Sequence, residues 1–159
     1  MTHVTSDERR RRRLTVGVKD SLRELSVQLS LLNRLVGAHV ELKDVDWDCL
    51  EIVNRHGPLS PTALARRAGL HPATVTGVLD RLERASWVAR DRNATDRRGV
   101  SVRARRERSR EVFQLYAGMN SAMDEICAAY TEPELKLLAD FLRRTTSAGL
   151  EASGDLRSG

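Results

Sequence analysis

Two short segments, 61–68 and 72–84, each open on a proline and are separated by one glycine-containing turn, and nothing else in the chain restricts its fold as strongly. In "LSPTALARRAGLHPATVTGVLDRLERA", Ser60 is a good helix cap, and Pro61 suits the first helical position, where a missing N–H costs no helical bond. Gly69 then ends the helix in a short turn, and Pro72 opens the next one in the same way. Leu64, Ala65 and Ala68 give the first helix a small apolar face. Val75, Val78, Leu79 and Leu82, at i, i+3, i+4 and i+7, give the second a wider one. Two short helices joined this tightly are a helix-turn-helix.

The stripe on the second helix leaves Ala73, Thr74, Thr76, Gly77, Asp80, Arg81 and Arg84 on its outer surface. Small and hydroxylated residues are what close approach to base edges requires. Any amphipathic helix divides its faces this way, however, and Asp80 and Arg84, four apart, also read as a plain surface pair. The next segment decides between the two readings. "WVARD" and "GVSVRA" have strand length and composition, and the polar "RNATDRR" between them predicts a hairpin with Arg92, Arg97 and Arg98 at its tip. A basic hairpin directly after a helix-turn-helix can reach the DNA backbone or minor groove beside the groove that takes the helix. The formal net charge of +5 fits a polyanionic partner. Only Lys19, Lys43 and Lys136 are lysines, and codon bias alone could explain that skew, so position weighs more than number.

Around this lobe, residues 41–104, the periodicity is helical. Leu14, Val18, Leu22, Leu25, Leu29, Leu32 and Val36 form an a/d-like seam on one long helix, which cannot bury its own stripe. Residues 44–56 read as a second helix stopped by Gly57 and Pro58. From residue 105 a helix carries Val112, Leu115, Met119, Ala122, Ile126 and Cys127 on one side. The last helix opens on the capping box of Thr131 and Glu134, with Leu135, Leu138 and Leu142 inward. Residues 14–40 and 105–149 are thus expected to form a helical dimerisation region, 1–13 a disordered basic arm ending in Arg9 to Arg13, and 150–159 a frayed terminus.

The order of elements, with "GPLSPTALARRAGLHPATVTGVLDRLERASWVAR" and "DRRGVSV", resembles the MarR family of winged-helix transcription regulators. The resemblance implies a mainly α fold with a small β-hairpin wing: a winged helix-turn-helix lobe on a helical dimerisation platform. It implies a homodimer that binds a pseudo-palindromic operator in double-stranded DNA, most often as a repressor. Carried over residue by residue, it places DNA contacts at Ala73, Thr74, Thr76, Gly77, Arg81, Arg92, Arg97 and Arg98, with Asp96 orienting the wing. It also implies a crevice for a small aromatic ligand, for which His39, Trp47 and Tyr116 are the candidates, although for Trp47 and Tyr116 core packing is the favoured reading. Three departures stand out. His71 replaces the usual Asp or Ser cap and should weaken the start of the recognition helix by about 1 kcal/mol. Gly77 replaces a frequent arginine. Arg105 and Arg108 enter after the wing, where they could make up for the contact missing at Gly77.

Other functions find little support in the residues. Cys49 and Cys127 are too few for a disulfide framework or a zinc site and read as packing thiols. His3, His39, His56 and His71 lack ligand-like spacing, so no metal and no cofactor is expected. There is no nucleophile elbow, phosphate-cradling glycine loop or close carboxylate pair, and hence no expected enzyme activity and no catalytic residue. Neither a membrane-spanning run nor a signal segment is present, which predicts a cytoplasmic protein. Two rivals remain at this point: a nonspecific nucleoid-type DNA binder and a winged-helix module for binding protein.

Overall fold

The computed structural model describes residues 5–92 and 99–158, with side chains to residue 157. It contains seven helices and one hairpin among these residues: α1 (Ser6–His39), α2 (Asp44–His56), α3 (Pro61–Ala68), α4 (Pro72–Arg84), β1 (Val88–Arg92), β2 (Val100–Ala104), α5 (Arg106–Leu115), α6 (Ala117–Ala128) and α7 (Glu132–Ser158). The mainly helical fold with a winged helix-turn-helix is the one expected from the sequence. By contacts the chain forms two compact units, residues 1–47 and 48–159.

In the first unit, α1 begins eight residues before the expected start at Leu14. The arginine run is its first turns and not a separate arm. The cause is local: Thr5 Oγ1 accepts from the Glu8 amide, Glu8 Oε2 accepts from the Thr5 amide, and arginine has high helix propensity. Only Val36 and Gly37 of α1 are buried. Its seam residues Leu14, Val18, Leu25 and Leu29 are 65, 45, 42 and 37 % exposed. At the other end of the unit Trp47 is 2 % exposed, and a Cβ on Gly37 would meet its indole at 3.3 Å.

In the second unit the core forms where α3 packs on α4 and β2, and α4 on β1. Leu64, Val75, Val78, Leu79, Leu82, Val88 and Val102 are at most 1 % exposed, as are Cys49, Leu50 and Val53 on α2. Each such Leu or Val contributes about 1.5–3 kcal/mol relative to an exposed one. Ser60 caps α3 through its hydroxyl, accepting from the Ala63 amide, and Gly69 ends α3 in the left-handed region at φ 66. Antiparallel β1 and β2 pair with Val88 opposite Ala104 and Arg92 opposite Val100. Leu59 exchanges two backbone hydrogen bonds with Val102, which fastens the base of the hairpin to the segment ahead of α3.

The turn out of α4 settles one large side chain. Ser86 has φ 63, its amide donates to the Glu83 carbonyl and the Trp87 amide to that of Leu82, a Schellman ending with a non-glycine at the left-handed position. This turn delivers Trp87 into the core beside Leu82, where it is 2 % exposed. Arg108 of α5 lies 3.8 Å over its ring centroid and pairs with Glu111 at 2.7 Å. The predicted helix after residue 105 is broken at Tyr116 into α5 and α6. The last helix keeps the Thr131–Glu134 motif: Glu134 Oε2 accepts from the Thr131 amide and hydroxyl, which holds its carboxyl below the usual range. It continues to Ser158, past the frayed end expected from residue 150: Leu150, Glu151, Ala152, Leu156 and Arg157 favour helix, and Ser153 Oγ donates to the Gly149 carbonyl at 2.8 Å.

Candidate DNA interface

On α4 the buried Val75, Val78, Leu79 and Leu82 leave the opposite side free. Ala73, Gly77, Asp80, Arg81 and Arg84 run down that side at i, i+4, i+7, i+8 and i+11, with Thr74 and Thr76 at its two edges. Six of the seven are exposed and Gly77 is half-buried. The structure thus brings Ala73, Thr74, Thr76, Gly77 and Arg81 onto one helix face. Thr76 Oγ1 donates to the Pro72 carbonyl at 3.1 Å, leaving its lone pairs outward. A face of small side chains ending in arginines lets a backbone approach closely at one end and meets phosphate at the other.

His71 corrects the expectation of a weak cap. Its Nδ1 accepts from the Ala73 amide at 3.2 Å, so an imidazole supplies what Asp or Ser would. Gly77 has room for more: an added Cβ would meet only Arg81 Nη1, at 3.6 Å. Gly77→Ala should therefore raise stability by about 0.5–1 kcal/mol. Urea denaturation followed by circular dichroism measures this, and a loss of stability would contradict the open space.

Asp80 does not pair with Arg84. It pairs with Arg90 of β1 at 2.5 Å, and the same guanidinium reaches Glu83 at 3.6 Å. One strand residue thus offsets both carboxylates on the outer half of α4, which would otherwise repel phosphate. Spacing on the helix gives no sign of it, because the partner lies ten residues on, beyond a turn. On the hairpin Arg103 pairs with Asp91 at 2.6 Å across the strands. Each exposed pair of this kind contributes about 0.2–1 kcal/mol.

Arg92 is exposed at the end of β1. Arg97, Arg98 and Asp96 lie outside the described residues. Arg105 and Arg108, expected to replace the contact missing at Gly77, have other tasks: Arg105 Nε donates to the Val88 carbonyl at 3.4 Å, and Arg108 covers Trp87. Of the ligand candidates, Trp47 is sealed and offers no surface, whereas His39 is exposed. Tyr116 is half-buried, and burial, with help from Glu51, pushes its phenol up to about 12, so it stays neutral at physiological pH. Cys49 is fully buried, as a packing thiol should be, and Cys127 half-buried. Among the described residues no helix is long and apolar enough to cross a membrane.

Residues 42–100, which hold the whole of this face and the hairpin as far as the start of β2, match the model of the MarR family. Over 120 residues the chain is 29 % identical to an HTH-type transcriptional regulator, YcgE, of Bacillus subtilis, covering 76 % of this chain and 78 % of that one. Over 90 residues it is 33 % identical to the HTH-type transcriptional repressor YetL of the same organism, covering 54 % of each. Among solved structures, a MepR mutant from a multidrug resistant S. aureus isolate superposes with TM-score 0.70 at 16 % identity, over 82 % of this chain and 96 % of that one. A MarR family protein from Bacillus stearothermophilus gives 0.64 at 19 %, over 86 and 96 %. At such identities these two speak for the fold alone.

Proposed function

From the winged helix-turn-helix, of which residues 42–100 match the MarR family model, we propose a homodimeric repressor that binds a pseudo-palindromic operator in double-stranded DNA. The observation that carries this is the outer face of α4, small at its start, cationic at its end, and with its carboxylates tied to Arg90. Base discrimination falls to Ala73, Thr74, Thr76, Gly77 and Arg81. Arg92 holds the phosphate backbone, and Arg97 and Arg98, oriented by Asp96, take the wing-tip role that the family resemblance implies. The dimer rests on apolar surface that one chain leaves open. The α1 seam is largely exposed, and α6 and α7 expose Met123, Ile126, Leu137, Leu138, Phe141 and Leu142. Open apolar area on that scale marks an association surface.

The test is selection of bound duplexes from a randomised pool at two salt concentrations. An enriched inverted repeat, with half-sites about 10 base pairs apart centre to centre or a multiple of that, is the expected result. Salt-sensitive binding without enrichment would replace the repressor with a nonspecific binder, a reading that the small Gly77 favours. No binding at either salt would leave a protein-interaction module. On the selected duplex Arg98→Ala should weaken binding by about 1–3 kcal/mol, measured by fluorescence anisotropy at moderate salt. Unchanged affinity would remove Arg98 from the interface.

A further inference from the structure

The arginine run at the start of α1 has no part in the lobe. Arg9, Arg10, Arg11, Arg12 and Arg13 are all exposed, and none makes an ion pair with another described residue. Asp7 and Glu8 share the first turn with the run, Glu8 accepting from the Thr5 amide, and Asp20 pairs with Arg23 at 2.8 Å; none of the three forms an ion pair with the run. The run is unfavourable where it stands. Cations at the first turns oppose the helix dipole, and Arg9 and Arg13, four apart, repel each other. A bound polyanion would reverse the sign of both effects.

The arginines are also sorted by face. Ser6, Arg9, Arg12, Arg13 and Val16 line one shallow concavity on the helix. At about 100° per residue that group is centred roughly 180° from the seam of Leu14, Val18, Leu22 and Leu25. A partner helix on the seam would leave Arg9, Arg12 and Arg13 pointing outward, whereas Arg10 lies to one side of the seam and Arg11 on it. Guanidinium suits this use, since it stays charged and grips phosphate oxygens bidentately.

The geometry points to a second DNA-binding site on this chain, in which Arg9, Arg12 and Arg13 hold the phosphodiester backbone of double-stranded DNA. DNA is favoured over other polyanions because the same chain carries a DNA-reading face; the inference rests on the repressor reading. The site is indifferent to sequence, since phosphates carry no base identity.

The experiment compares wild type, R9Q/R12Q/R13Q and R10Q/R11Q on the selected duplex and on a scrambled one of equal length, across a salt series, with sedimentation to check the dimer. The triple variant should lose on the order of tenfold affinity on both duplexes, by equal factors, and the slope of log affinity against log salt should fall by about 0.9 for each phosphate no longer neutralised. The double variant should lose much less for each charge removed. Equal losses per charge in both variants would mean a general charge effect and overturn the site, as would a triple variant that binds both duplexes like wild type. Loss of binding to phosphatidylserine-containing vesicles with duplex affinity unchanged would overturn it in favour of a lipid surface. Wild type that binds neither duplex would instead bring down the repressor reading beneath it.

Discussion

Leu25→Asp combined with Leu29→Asp should convert the proposed dimer to monomers and lower affinity for the selected duplex by a factor on the order of 10² to 10⁴, because two tethered lobes bind far more tightly than one. Both leucines lie on the outward seam of α1 and are 42 and 37 % exposed in the single chain. Neither belongs to the core of the second unit, so the lobe should stay folded. In a dimer the new carboxylates would be desolvated without partners, and that cost exceeds anything the monomer feels. Sedimentation gives the mass, circular dichroism the fold and anisotropy the affinity. A variant that stays dimeric and binds its operator like wild type would show that this seam is not where the two copies meet.

Trp87→Ala should cost about 3–5 kcal/mol of stability, a large share of what a domain of this size has. Trp87 is the largest side chain of the lobe core, 2 % exposed, and Arg108 rests on its ring. Removing it opens a cavity between α4 and the hairpin and leaves the Arg108 guanidinium without the surface it covers. The stacking adds about 0.5–2 kcal/mol to the loss. Ser86→Gly is the counterpart in the opposite direction: it relieves the left-handed residue that turns Trp87 inward and should gain about 0.5–1 kcal/mol. Urea midpoints of the two variants bracket the turn. A loss below about 1 kcal/mol for Trp87→Ala would mean that the core closes without the indole.

The helix-turn-helix can be read from sequence because its signals are local. Ser60, Pro61, Gly69 and Pro72 each fix a backbone position by their own chemistry, and the buried set on α4 follows from a 3.6-residue period. The hairpin strands are legible to within a residue for the same reason, as composition changes sharply at Val88 and Val100. What sequence does not show are contacts across turns. Arg90 neutralises a helix ten residues back, Leu59 joins a strand more than forty residues on, and Arg108 stacks on a tryptophan from another element. None leaves a periodic trace. The helix ends differ from expectation where charge reads as disorder. Arg9 to Arg13 look too repulsive to fold, but the reciprocal cap of Thr5 and Glu8 starts the helix ahead of them. His71 reads as a poor cap only while its neutral ring nitrogen is left out of the acceptors.

The grip of Arg90 on Asp80 and Glu83 has a consequence for how operator preference can change over time. The helix proposed to read the groove and the hairpin share this guanidinium as well as a packed core, so a substitution that shifts the hairpin also re-aims the helix. Effects of changes in the two should therefore fail to add, with interaction energies of about 0.5–3 kcal/mol where they share this partner. A lineage altering its operator one base pair at a time would find many single steps closed and paired steps open. Arg90→Ala should loosen this coupling without parting the two elements, and the effects of changes in helix and hairpin should then come closer to adding.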